Sequence, residues 1–219
     1  FRNNYAVLGG AFYGQGPREL SISHSEFYEN TSLTNGGAAY VGPLPMPADL
    51  DTAYIRFENV LWHHNIAGVN VPGDGYYGGA LAGVTSIGSG DVIDIVNNTF
   101  TLNTPDAYGN NSNDVVRILN TIMWNNGTNS ITGSNVPTVI NSLIQGAFPG
   151  SPGVNNKLDI DPLFIDPTSN FRLSSSSPAI DMGDNTVLAD TTDLDGLPRI
   201  VANIVDMGAY ENLLICTPD

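Results

Sequence analysis

The sequence predicts an all-β chain wound into a right-handed parallel β-helix, a solenoid closed by a C-terminal capping region, and three observations predict it. A frame of one large apolar residue, with Asn three positions before it and three after, recurs through the first 150 residues. Glycine pairs followed by a small residue recur between copies of that frame. No segment carries the helical periodicity that an amphipathic helix needs.

The fullest copy of the frame is Asn97-Asn98-Thr99-Phe100-Thr101-Leu102-Asn103. It returns as Asn59, Trp62, Asn65 and as Asn120, Met123, Asn126. Partial copies are Phe1 with Asn4, Phe27 with Asn30 and with His24 in the early slot, and Asn141 with Ile144, where Ala147 takes the late slot. The anchors at 1, 27, 62, 100, 123 and 144 are 26, 35, 38, 23 and 21 residues apart, so the repeat has a minimum near 21 and the excess is inserted loop. A coil this short cannot bury its apolar face alone and must stack on a neighbour. Stacking sets equivalent residues about 4.8 Å apart. The anchors Phe27, Trp62, Phe100, Met123 and Ile144 are therefore expected as one interior ladder. Asn30, Asn65, Asn103 and Asn126 are expected at coil corners, where Asn tolerates left-handed angles and stacked amides bond one another.

Taken in order, the first coil spans 1–24, with strands expected at 5–7 and 20–23. The second, 25–57, carries an insertion near 42–51 with three prolines in five residues, which cannot join a ladder. Its return strand is expected at 52–57. The third, 58–96, holds a second insertion near 70–79. The fourth and fifth, 97–119 and 120–140, are compact, and the sixth begins at Asn141 and dissolves in a Gly/Pro run. The regular coils are therefore placed at 1–150, and the final coil or coils with the cap at 151–219. Gly9-Gly10-Ala11, Gly36-Gly37-Ala38 and Gly78-Gly79-Ala80 each follow an anchor and Asn pair. This alternation resembles the repeats of bacterial surface β-helix proteins, including the polymorphic outer-membrane proteins and related adhesins.

Composition narrows the function. Seven basic against twenty-two acidic residues give a net charge of −15, which repels nucleic acid and anionic bilayers. No run approaches the roughly 20 apolar residues that span a membrane. The single cysteine, Cys216, excludes an internal disulfide framework. The chain opens in mid-repeat and is read as part of a longer one.

From 161 onward the texture changes to tight turn signatures: Asp161-Pro162-Leu163-Phe164, Asn170-Phe171-Arg172-Leu173, Ser177-Pro178-Ala179-Ile180-Asp181-Met182-Gly183, Asp193-Leu194-Asp195-Gly196 and Val205-Asp206-Met207-Gly208-Ala209-Tyr210-Glu211. This ordered set resembles the C-terminal part of the choice-of-anchor (type Q) domain of secreted and surface-attached bacterial proteins. Met182 and Met207 depart from the smaller or branched residues expected in their slots. The resemblance implies an extracellular or cell-surface location and brings no catalytic residues with it. Arg172 and Arg199 lie among the tail carboxylates, and Arg–Asp pairs fastening the last coils are expected.

Several side chains invite chemistry. Asp181, Asp184, Asp190, Asp193 and Asp195 could supply an oxygen-rich calcium site, although turn capping explains the same residues. His63 and His64 alternate faces and cannot easily share a metal. Tyr76 and Tyr77, in a Gly-rich loop, are the exposed candidates for carbohydrate binding. Asp91, Asp94, Asp114 and Glu58 are strand-borne carboxylates with no evident stacked register, and Arg56 and Arg117 are the strand-borne bases, so paired catalytic carboxylates are not evident. The reading is a structural or adhesive module of a surface protein, adhesin or filament, with copies of itself, other subunits or glycans as partners. The alternative is a secreted polysaccharide lyase or glycoside hydrolase.

Overall fold

In a computed structural model the described residues are 1–15, 19–42, 53–68, 77–83, 91–111, 114–148 and 153–213. The insertions expected near 42–51 and 70–79 lie largely outside them, and Tyr76 and Cys216 lie wholly outside. The described residues are all-β, with one 3₁₀ turn at Asn185–Val187. No helix among the described residues is long and apolar enough to cross a membrane.

Three groups of parallel strands stack rung on rung. The first pairs β1 (Tyr5–Ala6) with β4 (Thr31–Ser32) and continues as single bridges through Ile66 and Thr104. The second runs β2 (Phe12–Gln15), β5 (Ala39–Gly42), β7 (Leu81–Gly83), β10 (Tyr108–Asn110) and β13 (Ile131–Gly133). The third begins with β3 (Glu19–Tyr28) on β6 (Tyr54–His63). It continues as split strands, β8 (Val92–Val96) with β9 (Thr99–Thr101) and β11 (Val115–Leu119) with β12 (Ile122–Trp124). It closes with β14 (Thr138–Ile140), β15 (Leu143–Ile144) and β16 (Lys157–Leu158), so the stack runs slightly past residue 150.

The inner faces of the second and third groups bury one core. In it Phe27 stacks on Phe1 at 4.5 Å and on Trp62 at 4.4 Å, and Trp62 stacks on Phe100 at 5.4 Å, all with nearly parallel planes. The register then sets Phe100 beside Met123 and Met123 beside Ile144. Each stacked pair adds about 1 kcal/mol to the burial of its rings.

The asparagines of the frame divide into two rows with different work. The early row bends the third sheet: His24, Asn59, Asn97, Asn120 and Asn141 all have left-handed backbones, with φ between 45° and 55°. The late row lies inside from Asn30 to Asn126. Asn4 donates from Nδ2 to Asn30 Oδ1 (2.8 Å), Asn30 to Asn65 (3.0 Å), Asn65 to Asn103 (2.9 Å) and Asn103 to Asn126 (2.8 Å). Each acceptor oxygen also takes the backbone N–H of the preceding rung's Asn. The left-handed residue of this second corner stands one position earlier, at Asn3, Glu29, His64, Leu102 and Asn125. Corner Asn was expected at both ends of the frame. At the late end the side chain turns inward and the strained backbone falls on whichever residue precedes it, at a cost of about 1 kcal/mol for Glu, His or Leu. The glycine pairs make the remaining corner: Gly36 has φ +66°, and a Cβ on Gly37 would lie 1.9 Å from the Gly79 carbonyl oxygen.

The turn signatures suggest a cap at the end of the stack, and the described residues of the C-terminal segment lie against its side. The segment forms an antiparallel hairpin of β17 (Phe164–Asp166) and β18 (Asn170–Leu173), then runs back along the outer flank of the third sheet. Leu61, Ile122 and Leu143 of the flank bury a second core against its Phe164, Phe171, Leu173, Ala179, Met207, Ala209 and Tyr210. The reason is the alternation of the strands: their outward residues are apolar on several rungs and need a cover.

Candidate functional site

The flank of the third sheet and the segment strapped across it hold the polar groups with chemical potential. Outward positions of β6, β8 and β11 bring Arg56 and Arg117 into register on either side of Asp94. Arg117 grips Asp94 with Nε and Nη2 at 2.5 and 2.6 Å, Tyr54 Oη donates to the same carboxylate at 2.6 Å, and Arg56 donates from Nε to Glu58 at 2.8 Å. The strap completes this bed. Its Ala189 N–H donates to Glu58 Oε1 (2.9 Å), and Arg56 donates to the Val187 carbonyl (2.7 Å). Asp94 therefore does have a stacked register, with bases instead of a second acid. Every one of these charges already has a partner, so the bed reads as adhesive between flank and strap.

The early asparagine row is the other fastening. Asn59 donates from Nδ2 to the Thr192 carbonyl (3.0 Å), Asn97 to that of Asp206 (3.1 Å), Asn120 to that of Asp184 (3.0 Å) and Asn141 to that of Met182 (2.9 Å). His24, in the same row, meets the Thr192 carbonyl at 3.1 Å.

Beside this seam, where strap and flank part, lies an open cleft of about 410 Å³. Its floor is Leu61, Phe171, Leu194 and Tyr210, and its rim carries His24, Glu26, His63, Ser169, Arg172 and Asp195. Arg172 donates from Nε and Nη2 to both Asp195 oxygens at 2.7 and 2.5 Å, and its guanidinium lies 4.5 Å from the centre of the Tyr210 ring. Burial pushes the Tyr210 hydroxyl up to about 12, with Arg172 opposing. Burial likewise lowers the His63 imidazole, against the pull of Glu26, and favours the neutral ring. A neutral His63 donates from Nε2 to Glu26 Oε1 (3.0 Å) and accepts at Nδ1 from His64 (2.8 Å).

Both ring nitrogens of His63 are thus engaged, and neither faces a hydroxyl nucleophile in hydrogen-bond reach. Glycoside hydrolysis needs one carboxylic acid holding its proton in an apolar site. Glu26 and Asp195 each stand instead as acceptors opposite nitrogen donors. The cleft is built to hold polar groups.

The residues singled out by sequence scatter over other tasks. Asp193 is fully buried and takes N–H bonds from Asp195, Leu197 and Glu211. Asp184 caps the 3₁₀ turn through Thr186, Asp195 pairs with Arg172, Asp190 stands 3.5 Å from His24, and Asp181 donates its N–H to Asp206. Among the described residues no three His, Cys, Asp or Glu side chains come together to hold a metal ion. Tyr77 is half-buried, its N–H bonded to Asn35 and its carbonyl to Gly36. Arg199 is buried, donating to the carbonyls of Asp206 (3.0 Å) and Gly208 (2.5 Å), with Glu211 at 3.9 Å instead of an aspartate. Sequence reading passed over Glu26, Tyr210 and the cleft that Arg172 shares with the β3 wall, since nothing local marks residues more than a hundred positions apart as neighbours. Compared with known proteins, the chain matches no family model, no curated protein and no solved structure, so its function rests on this geometry.

Proposed function

We propose that the chain is a right-handed parallel β-helix serving as a stiff extracellular module, structural or adhesive, of a bacterial surface protein. The observation that carries this reading is the unbroken amide ladder from Asn4 to Asn126 beside the stacked rings of Phe1, Phe27, Trp62 and Phe100. Such rows tie each rung to the next in one direction and suit a rod that must not bend. The low charge content and the resemblance of the tail to choice-of-anchor domains support a surface setting, with copies of the chain or other subunits as partners. A polysaccharide-degrading enzyme is the weaker reading, because the cleft carboxylates are acceptors and the strand carboxylates are paired with arginine.

Display on a non-adherent bacterium separates the two. Attachment to glycan-coated and bare surfaces is expected to rise, with no release of reducing ends from polysaccharide. Steady release of reducing ends by the purified chain would replace this reading with the enzymatic one. Crystallographic or cryo-EM coordinates check the hand of the winding.

A further inference from the structure

We infer that the cleft between the β3–β6 flank and the strap is a binding site for a neutral glycan of one to two sugar units. This deepens the adhesive reading by naming what the module would hold, and it rests on that reading only for its biological use.

The argument is chemical. About 410 Å³ falls within the range of small-ligand sites and suits a short saccharide. A sugar ring presents hydroxyls that both donate and accept above patches of C–H, so its site needs acceptors and donors placed around an apolar floor. Here the acceptors are Glu26 and Asp195 and the donor is Arg172. The Ser169 hydroxyl, which donates to Asp166, offers a further acceptor, and the apolar surface is the half-buried Leu194, with Leu61 and Phe171 packed beneath. The polar groups are held in place before any ligand arrives: Glu26 by His63 and Asp195 by the Arg172 fork over Tyr210. Pre-organisation of this kind spares the ordering cost on binding. Charge decides against anionic glycans. The one rim guanidinium is already neutralised by Asp195, Glu26 adds a negative charge, and the whole chain carries −15.

Titration calorimetry of the full 219-residue chain with neutral mono- and disaccharides of glucose, galactose, mannose and N-acetylglucosamine tests this, with sialylated and uronate-bearing oligosaccharides as the anionic arm. At least one neutral series is expected to bind, and Glu26→Gln and Arg172→Ala are each expected to weaken it about tenfold or more. Glu19→Gln, at the start of the same strand, is expected to leave affinity unchanged. Thermal unfolding of each variant shows that the fold is intact, and shifts of the His24 and His63 ring resonances on titration place the sugar. Three results would each overturn the inference: no neutral series binds, binding survives both cleft variants, or the anionic series binds more tightly. If Glu26→Gln abolishes sugar binding and leaves surface attachment intact, the adhesive role stands and this cleft does not serve it. If no sugar binds and attachment persists, only the glycan inference fails.

Discussion

Inside the stack, a side chain meets its own kind one rung away, whereas along the flank most contacts are singular. Asn65 accepts from Asn30 and donates to Asn103; Trp62 lies between Phe27 and Phe100. The flank joins Glu58 to the backbone of Ala189, Thr99 to that of Ala209 and Asn97 to that of Asp206. Like-on-like rows propagate a local error to both neighbours. Singular contacts fail one at a time. The two regions should therefore differ in how widely a single substitution is felt.

The most damaging break is in the ladder. Asn65→Ala leaves the backbone N–H of buried Asn30 without its acceptor and removes one bond each from the Asn30 amide, which keeps the Phe1 carbonyl, the Phe27 carbonyl, and the Asn103 amide oxygen, which keeps the N–H of residue 65. A cost of about 3 to 5 kcal/mol is expected. Calorimetry should show the melting temperature falling by roughly 10 °C or more. Hydrogen exchange should quicken on the rungs of both β3 and β9.

A smaller effect is expected from the buried ionic cluster in the strap. Burial, reinforced by Asp206 and opposed by Arg199, raises the Glu211 carboxyl to about 8. The Asp206 carboxyl is pushed up as well, again by burial. An acid whose folded value lies above its unfolded one stabilises the fold in its protonated form. That contribution is complete below about pH 4.5 and is lost as pH rises through about 8, on the order of a few kcal/mol. Glu211→Gln should flatten the dependence, leaving stability near pH 5 little changed and raising it at pH 9. Chemical denaturation at the two pH values measures this directly.

The smallest and most local change is expected at the seam. Asn120→Gly keeps the left-handed corner accessible and removes the amide that holds Asp184 from both sides and reaches Asn97 Oδ1 at 3.3 Å on the neighbouring rung. A loss of about 1 to 2 kcal/mol is expected, centred on the strap. Exchange and limited proteolysis should speed near 182–186 while β11 and β12 stay protected. Equal loosening of the rungs would erase the distinction between the two regions.

This distinction also explains how much could be read from sequence. The anchors and the late asparagines are legible because stacking makes each rung demand the same residue at the same place, and the chain repeats its answer. The division of the two Asn rows was not legible. Both tolerate a corner, and only the direction of the next residue decides which side chain turns inward. The tail was legible as turns, since Asp before Pro or Gly is a local signal. Its path was not, because Ala189 docking on Glu58 and Ala209 on Thr99 leave no periodic trace. Asp94 illustrates the same limit: its two arginines come from different rungs separated by inserted loop.

One consequence lies in the spacing of the strap's anchor points. Met182, Asp184, Asp206 and Thr192 are tied to the rungs of Asn141, Asn120, Asn97 and Asn59, so the segment acts as a gauge laid against the stack. Duplicating or deleting one repeat between Asn59 and Asn141 would shift its marks by about 4.8 Å, and several could no longer coincide. Growth of such a rod is thus free only beyond the gauged stretch. Within it, number of turns and length of tail have to change together.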